Sequence, residues 1–302
     1  MRWAITGSSG LVGTELVRVL RARGDHVTRV VRTLARVPPS EQPVVWHPRE
    51  GVVEAGRLEG HDVVVHLAGE RIAGLWTEGK KRRIRESRER GTGLLARTLA
   101  DLASPPRVLF SASAFGIYGD RPASEIVTEA SPLGEGFLPD VGRLWEGGTS
   151  PAAEAGIRVV HMRFGNIMSA EGGMLPVVLP AFRLGLGGRL GDGDQYWPWI
   201  ALPEIPRIID FLLDRPEIAG PVNFVTPEPP TNEEFTAALA SAVDRPSFLG
   251  IPELLVKLAP GRMGQELLLS GARVVPKRLL DAGYEFGWPD LREALKELLD
   301  DR

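Results

Sequence analysis

The stretch TGSSGLVG, Thr6–Gly13, places three glycines three residues apart, directly after the apolar run Trp3–Ile5. The residues that follow, Leu11–Arg23, have the apolar spacing of an amphipathic helix. A strand, a glycine loop and a helix in that order are typical of nucleotide-binding α/β folds. The spacing is GxxGxxG rather than GxGxxG, and the absence of Gly-Lys-Ser/Thr excludes a mononucleotide phosphate loop of the Walker type. The alternatives are a dinucleotide loop and an ordinary tight turn.

Each glycine has a separate use in a dinucleotide loop. Gly7 allows the tight turn, Gly10 lets the backbone approach a pyrophosphate, and Gly13 permits close packing of the helix on the strand. The helix start adds unsatisfied N–H groups and the positive end of the helix dipole. The loop residues expected to contact the cofactor are Gly7, Ser8, Ser9, Gly10, Leu11, Val12 and Gly13.

The end of the second predicted strand, His26–Arg32, indicates which dinucleotide is bound. A site for NAD usually has Asp or Glu there, to bind the ribose 2′-hydroxyl. This sequence has Arg32, followed by Arg36, with no carboxylate between Asp25 and Glu41. A guanidinium suits a 2′-phosphate in charge and in geometry, so the sequence favours NADP(H). The alternative is that Arg32 is only a solvated charge at a strand end.

The first half of the chain alternates short β-branched runs with longer amphipathic stretches, which predicts a parallel sheet with helices on both faces. The predicted strands are Trp3–Thr6, His26–Arg32, Pro43–His47, Asp62–Leu67, Arg107–Ser113, Ile157–Gly165 and Pro221–Val225. The predicted helices are Leu11–Arg23, Thr77–Leu102, Asp140–Ala155, Pro203–Leu213, one opened by Thr231, Pro276–Ala282 and Pro289–Leu299. We therefore expect a doubly wound Rossmann fold.

We expect two domains. Residues 1–165 form the nucleotide-binding domain, which also receives the segment 200–225, and residues 166–302 form a smaller C-terminal domain on the substrate side. Substrate is expected between the two, at the carboxyl ends of the strands.

Composition narrows the class of protein. The 302 residues carry a net charge of −3, so there is no basic excess to bind nucleic acid. Cysteine is absent, which excludes disulfides and thiolate chemistry, and the five histidines lack metal-ligand spacing. Without a signal sequence or an apolar run of about 20 residues, a cytoplasmic protein with no membrane partner is expected. The oligomeric state is left open.

Several stretches resemble the extended and atypical branches of the short-chain dehydrogenase/reductase superfamily, in particular the subgroup of epimerase family proteins. The resemblance extends from end to end of the chain. Besides TGSSGLVG it is carried by HLAGE (His66–Glu70), LWTEGKKRRIRESRERGT (Leu75–Thr92), SASAFGIYGD (Ser111–Asp120), GRLWE (Gly142–Glu146), RFGNIMSAEGGML (Arg163–Leu175), FRLGLGGRLGDGDQYWPWI (Phe182–Ile200), VNFVTPEPPTNEEF (Val222–Phe235) and RVVPKRLLDAGYEFGWPDLREAL (Arg273–Leu295). The resemblance implies that the strand ending in Leu67, Ala68, Gly69 and Glu70 borders the cofactor.

Catalysis in that superfamily usually rests on a Ser, a Tyr and a Lys, of which the last two form a Tyr-x-x-x-Lys pair. By position Ser113 fits the serine, whereas Tyr118 resembles a tyrosine that lines the active site. The places of the catalytic pair fall near Leu138 and Gly142, and neither residue can ionise. Arg143 is expected near the cofactor ribose, although a guanidinium cannot give up a proton at neutral pH. The resemblance implies Ser113 and Tyr118 as the remaining catalytic residues.

Other residues give weaker indications. The basic stretch Lys80–Arg90 is interpreted as the solvated face of a helix. Ala201 stands where related proteins have a histidine, which weakens any inference about substrate. Trp197 and Trp199 either line a substrate cleft or belong to the core, and Asn166 either binds a ligand or caps a loop.

Two functions are consistent with these features. The first is an NADP(H)-dependent oxidoreductase or nucleotide-sugar epimerase or dehydratase acting on an unidentified small molecule. The alternative is a non-catalytic NADP(H)-binding protein that senses redox state or binds a partner, which the missing Tyr/Lys pair favours.

Overall fold

The computed structural model describes residues 1–38, 40–247, 250–253 and 265–300. Within these residues an eight-stranded sheet forms the centre of the molecule. In order across the sheet the strands are β11 (Gly220–Phe224), β8 (Arg158–Phe164), β6 (Val108–Ala114), β5 (Val63–His66), β1 (Arg2–Thr6), β2 (His26–Val31), β3 (Val44–His47) and β4 (Val52–Val53). All neighbours are parallel except β3 and β4.

The strand order reverses between β1 and β5. From β1 the chain moves outward through β2 and β3, then returns to the other side of β1 and continues through β5, β6, β8 and β11. Ligands of doubly wound folds bind at such a switch point, beyond the carboxyl ends of the strands. The predicted doubly wound α/β fold is confirmed.

Helices cover both faces of the sheet. The described helices are α1 (Leu11–Ala22), α2 (Glu78–Ala100), α3 (Phe137–Gly147), α4 (Ser150–Glu154), α5 (Leu175–Arg183), α6 (Glu204–Leu213), α7 (Asn232–Ala242), α8 (Lys277–Asp281) and α9 (Leu291–Asp300). Helices α5, α7 and α9 pack around Trp199 in a core of their own, away from the sheet. Side chains of β1 alternate between the two cores: Trp3 and Ile5 pack on the side that holds Leu16 of α1, and Ala4 on the side that holds Leu95 of α2. Burial of both faces explains why the strands read as continuous apolar runs.

The helices differ from the sequence prediction in two places. The helix expected over Asp140–Ala155 is divided into α3 and α4, because Pro151 has no N–H to donate and its ring clashes with the carbonyl four residues back. Helix α5 was not predicted; it contains Pro180, a residue that reads as a helix breaker.

The remaining strands form two small pairs, β9 (Asn166–Met168) with β10 (Trp199–Ala201), and β7 (Ile126–Val127) with β12 (Arg273–Val274). Helix α7 begins as predicted with a capping box: Thr231 accepts from the amide of Glu234, and the Glu234 carboxylate accepts from the amide of Thr231. Strand β11, within the segment expected to return to the first domain, pairs with β8. Over the described ranges, no helix combines the length and the apolar character needed to cross a membrane.

Candidate functional site

The glycine loop lies at the carboxyl end of β1, and two of its glycines, Gly7 and Gly13, have no room for a side chain. Gly7 has a φ of +66°, and a Cβ there would lie 2.7 Å from the carbonyl carbon of Leu67. A Cβ on Gly13 would lie 2.3 Å from the carbonyl oxygen of Gly7. Both contacts are with backbone atoms, so only glycine fits these positions.

The start of α1 is open to a ligand. Gly10 is the N-cap, and the helix has no side-chain cap. The amides at this end therefore keep their hydrogen-bonding capacity for an incoming anion. Around them Ser9 and Gly10 are exposed, Leu11 and Val12 are half-buried, and Ser8 is buried. A backbone cradle without a cap fits a pyrophosphate.

Residues 67–70, after β5, form the opposite wall of this cradle. Thr6 anchors them, since its Oγ1 accepts from the amides of Leu67 and Ala68 at 3.1 and 3.2 Å. The hydroxyl then donates its own proton to Nδ1 of His66, 2.8 Å away, and Nε2 of that ring lies 3.1 Å from Oγ1 of Thr92. Burial lowers the pKa of His66 to about 4, so the ring is neutral and structural.

Gly69 is exposed and Glu70 half-buried. The Glu70 carboxylate lies 2.8 Å from Nζ of Lys80, and its amide donates to Oγ of Ser87 at 3.0 Å. Glu70 therefore ties the wall of the cradle to α2.

Arg32 is exposed immediately beyond β2. Strand β2 runs parallel to β1, so Arg32 lies at the same edge of the sheet as the glycine loop. A second arginine, Arg29, was missed by the sequence analysis, and it contacts the glycine loop directly. Arg29 donates from Nη1 to the carbonyl of Ser8 at 3.3 Å, and its Nε lies 3.1 Å from the carboxylate of Glu41. Its only signal in the sequence was a charge inside β2, the strand that pairs with β1.

A cavity of about 260 Å³ lies at the carboxyl ends of the strands, with a mostly apolar lining. Residues from five parts of the chain surround it: Ile72 and Arg88; Ala114–Ile117, Gly119 and Asp120; Glu135, Gly136, Leu138, Pro139, Val141, Gly142 and Trp145; Asn166; Glu266, Ser270 and Gly271. Of the two interpretations of Asn166, this position supports ligand binding. The size and position suit the reactive end of a cofactor and a small substrate.

The two places expected for a Tyr/Lys pair do lie on this cavity. Leu138 and Gly142 line it, one turn apart on α3. A Cβ on Gly142 would lie 2.6 Å from Cγ1 of Ile117. Ile117 thus fills the space that a lysine side chain would need to enter.

The predicted catalytic Ser113 is buried and faces away from the cavity. Its Oγ donates to Oε1 of Glu146 at 2.7 Å, and the cavity is lined instead by the methyl group of the next residue, Ala114. The prediction placed the right strand end, but the alternation of side chains along β6 directs Ser113 into a buried polar network.

The centre of that network is a bidentate ion pair. Nε and Nη2 of Arg163 donate to the two oxygens of Glu146, both at 2.8 Å. Burial opposes ionisation of Glu146, but the hydrogen bonds and the charge of Arg163 outweigh it and lower the pKa of the carboxyl. Arg163 also donates from Nη1 to the hydroxyl of Tyr118 at 2.8 Å.

Tyr118 is fully buried, and its hydroxyl donates to Oδ1 of Asn223 at 2.7 Å. Burial raises its pKa to about 12, which removes it further from proton exchange at neutral pH. Neither Ser113 nor Tyr118 is among the residues that line the cavity.

Arg143 does not reach the cavity either. It lies one residue beyond Gly142, about 100° around the helix. Its guanidinium lies at the surface, where Nη1 is 2.9 Å from Oδ1 of Asp140 and Nη2 donates to the carbonyl of Gly134. The structure gives no support to a contact with the cofactor ribose.

Arg88 corrects the interpretation of Lys80–Arg90 as a solvated face. Its side chain is 4% exposed, stacks 4.3 Å from the ring centroid of Trp145, and lines the cavity. The sequence analysis missed Arg88 because the stretch Lys80–Arg90 contains several other basic residues, and nothing in the sequence distinguishes the buried one from them.

Of the other open interpretations, Trp197 and Trp199 belong to the core formed with Phe235. Ala201 is fully buried in β10. Among the described residues, no group of three or more His, Cys, Asp or Glu side chains could hold a metal ion.

The order of the strands, the open helix start and the glycine cradle define a dinucleotide-binding fold of the Rossmann class. The model of the NAD dependent epimerase/dehydratase family matches residues 3–224, and a second model, described as a domain of unknown function (DUF1731), matches residues 251–298. The chain belongs to the NAD dependent epimerase/dehydratase family.

Individual relatives match this chain over nearly its full length. An epimerase family protein of Mycobacterium bovis, Mb2239, is 40% identical over 97% of this chain and 95% of its own. YfhF of Bacillus subtilis, also an epimerase family protein, is 32% identical over 100% of this chain and 99% of its own. The crystal structure of human epimerase family protein SDR39U1 (isoform 2) with NADPH is 31% identical, with a TM-score of 0.89 over 100% of both chains.

Proposed function

We propose that the protein binds NADP(H) in the glycine cradle. The backbone of Gly7–Gly13 and the amides at the start of α1 would hold the pyrophosphate, with residues 67–70 as the opposite wall. Arg32, exposed at the end of β2, would hold the 2′-phosphate. The human relative crystallised with NADPH supports this choice of dinucleotide.

We propose further that the protein is an oxidoreductase that reduces or oxidises a small molecule in the adjacent cavity. The observation that carries this proposal is the cavity of about 260 Å³ beside the cradle, at the carboxyl end of β6. When bound, the nicotinamide supplies or accepts a hydride. The apolar lining excludes bulk water and orients the substrate, and Asn166 offers it an amide.

The chain's polar network has a supporting role in this proposal. Ser113 and Tyr118 act as positioning residues, because Glu146, Arg163 and Asn223 engage their hydroxyls. Since Leu138 and Gly142 stand in the places of the usual pair, water supplies the proton that a tyrosine gives in related enzymes.

A specific observation favours a second candidate, a non-catalytic NADP(H)-binding protein. The predicted catalytic hydroxyls are bonded inside the protein, and Ile117 fills the space beside Gly142. Such a protein would report the redox state of its cofactor to a partner.

Two experiments test these proposals. In fluorescence titrations, Arg32→Asp should weaken binding of NADPH but not of NADH, because only NADPH has a 2′-phosphate. Arg107→Asp is the matched control, since Arg107 is exposed at the opposite ends of the strands, just before β6. Equal loss for both dinucleotides in Arg32→Asp would contradict the assignment.

The second experiment separates the two functions. The wild-type protein is incubated with NADPH and a panel of small carbonyl compounds and nucleotide sugars, and absorbance at the reduced nicotinamide band is followed. Oxidation of NADPH that depends on one compound supports the oxidoreductase. Binding of NADPH without turnover of any compound favours the non-catalytic protein.

A further inference from the structure

Arg88 is a buried cation that has no acidic partner within ion-pair distance among the residues that the structure describes. Among the described residues no carboxylate oxygen comes within ion-pair distance of its guanidinium, although the side chain is 4% exposed. The nearby carboxylate of Glu70 pairs with Lys80 at 2.8 Å instead. Buried charges are normally paired, because removal from water is costly.

The hydrogen bonds of Arg88 leave part of the guanidinium unused. Nη1 donates to the carbonyls of Glu70 and Ile84, at 3.1 and 3.2 Å. Nε is buried and has no hydrogen-bond partner within the described part of the chain. Burial lowers the pKa of Arg88 to about 10, which still leaves the side chain charged at neutral pH.

The packing holds this cation at the junction of cradle and cavity. Its guanidinium stacks on Trp145, and a Cβ built on Gly69 would lie 3.6 Å from Cζ. Gly69 belongs to the wall of the cradle, whereas Trp145 lines the cavity. Three carboxylates also line the cavity, those of Asp120, Glu135 and Glu266. In the described part of the chain none of them forms an ion pair with Arg88.

We propose that Arg88 binds an oxyanion of the ligand, a carboxylate or a phosphate, at the inner end of the cavity. The inference rests on the proposed dinucleotide site. The oxyanion comes either from the cofactor, as its pyrophosphate, or from the substrate, as an acidic group. In either case the anion accepts from the guanidinium donors, and neutralises the charge, that no other group in the described part of the chain satisfies.

The test uses Arg88→Met, which keeps the length and the apolar stem, and Arg88→Lys, which keeps the charge but loses the planar fork. Arg90→Gln is the matched control, because Arg90 is on the same helix and 62% exposed. Each protein is titrated with NADPH and with dihydronicotinamide riboside, which has no phosphate. The NADPH complex is then titrated with oxalate and with inorganic phosphate.

If the oxyanion is the cofactor's, Arg88→Met raises the Kd for NADPH roughly 10- to 100-fold. Binding of the riboside then stays unchanged, and Arg90→Gln behaves as wild type. If the oxyanion is the substrate's, the NADPH affinity is retained, and oxalate or phosphate binds the wild-type complex but not the Arg88→Met complex. In both cases Arg88→Lys lies between wild type and Arg88→Met.

The proposal is overturned if Arg88→Met binds NADPH, oxalate and phosphate as the wild-type protein does. It is also overturned if both variants melt far below the wild type without ligand while their folded fraction keeps wild-type affinity, because Arg88 would then serve only the fold. Failure of wild-type protein to bind NADPH is a different result: it removes the proposed cofactor function itself.

Discussion

Replacement of Gly13 by alanine tests whether close packing of the loop determines the cofactor site. The added methyl group would lie 2.3 Å from the carbonyl oxygen of Gly7 and 2.7 Å from Cα of Ser8. Since Cβ contacts essentially never fall below 3.0 Å, the loop and the helix must separate by at least about 0.7 Å at that point. Both partners are backbone atoms, so no side-chain rotation relieves the contact.

Two opposing terms set the effect on stability. Alanine in a helix is favoured over glycine by about 1 kcal/mol, whereas overpacking costs about 1–3 kcal/mol. We therefore expect Gly13→Ala to lower the free energy of unfolding by up to about 2 kcal/mol. The effect on the ligand is larger: displaced amides lose hydrogen bonds to a charged group, worth about 1.5–3 kcal/mol each, so the Kd for NADPH rises roughly 10- to 100-fold.

The assays are denaturant unfolding without ligand and fluorescence titration with NADPH. Gly147→Ala is the control, because Gly147 is also helical and nothing lies within 4 Å of the Cβ built there. It should leave the Kd unchanged and raise stability by up to about 1 kcal/mol. A Gly13→Ala protein that binds NADPH within twofold of wild type would refute the packing argument.

Three further predictions concern the buried groups around the site. Glu146→Gln leaves the Arg163 guanidinium buried without a carboxylate, so the free energy of unfolding should fall by about 3–5 kcal/mol, as measured by urea unfolding; a loss below 1 kcal/mol would contradict the role of the pair. Burial lowers the pKa of His66 from 6.5 to about 4, so protonation of this ring destabilises the folded protein. The free energy of unfolding should therefore be highest above pH 6.5 and fall as the pH decreases, by about 3 kcal/mol at pH 4. His66→Gln should remove that part of the slope, and an identical pH profile for both proteins would show that the ring does not titrate in this window. Gly142→Ala should lower the melting temperature, because its Cβ meets Ile117 at 2.6 Å, and an unchanged melting temperature would show that this side chain moves freely.

The fold was predictable because its signals are local. The glycines of the loop follow an apolar strand and precede an amphipathic helix, and each of these patterns can be read within a dozen residues. The capping box at Thr231 is equally local and is present. The break between α3 and α4 was not predicted, although its cause, Pro151, is local, because the pattern of apolar residues does not show the effect of a proline.

The cavity was less predictable because it is assembled from distant segments. Arg88 differs from the basic residues around it only in its packing against Trp145, a contact across 57 positions of the chain. Ser113 lies at the end of β6, as expected. Successive side chains of a strand point to opposite faces, and here Ala114 faces the cavity while Ser113 contacts Glu146. The partner of Tyr118, Asn223, lies 105 positions away. A sequence without an alignment has no signal for such pairs.

Isothermal titration of the wild-type protein with NADPH and, separately, with NADH tests the central claim most directly. The cradle and Arg32 predict one NADPH bound per chain, with a Kd at least about tenfold lower than that for NADH, because the 2′-phosphate gains a charge-assisted hydrogen bond. Equal affinity for the two dinucleotides, or no heat of binding with either one, would contradict the account.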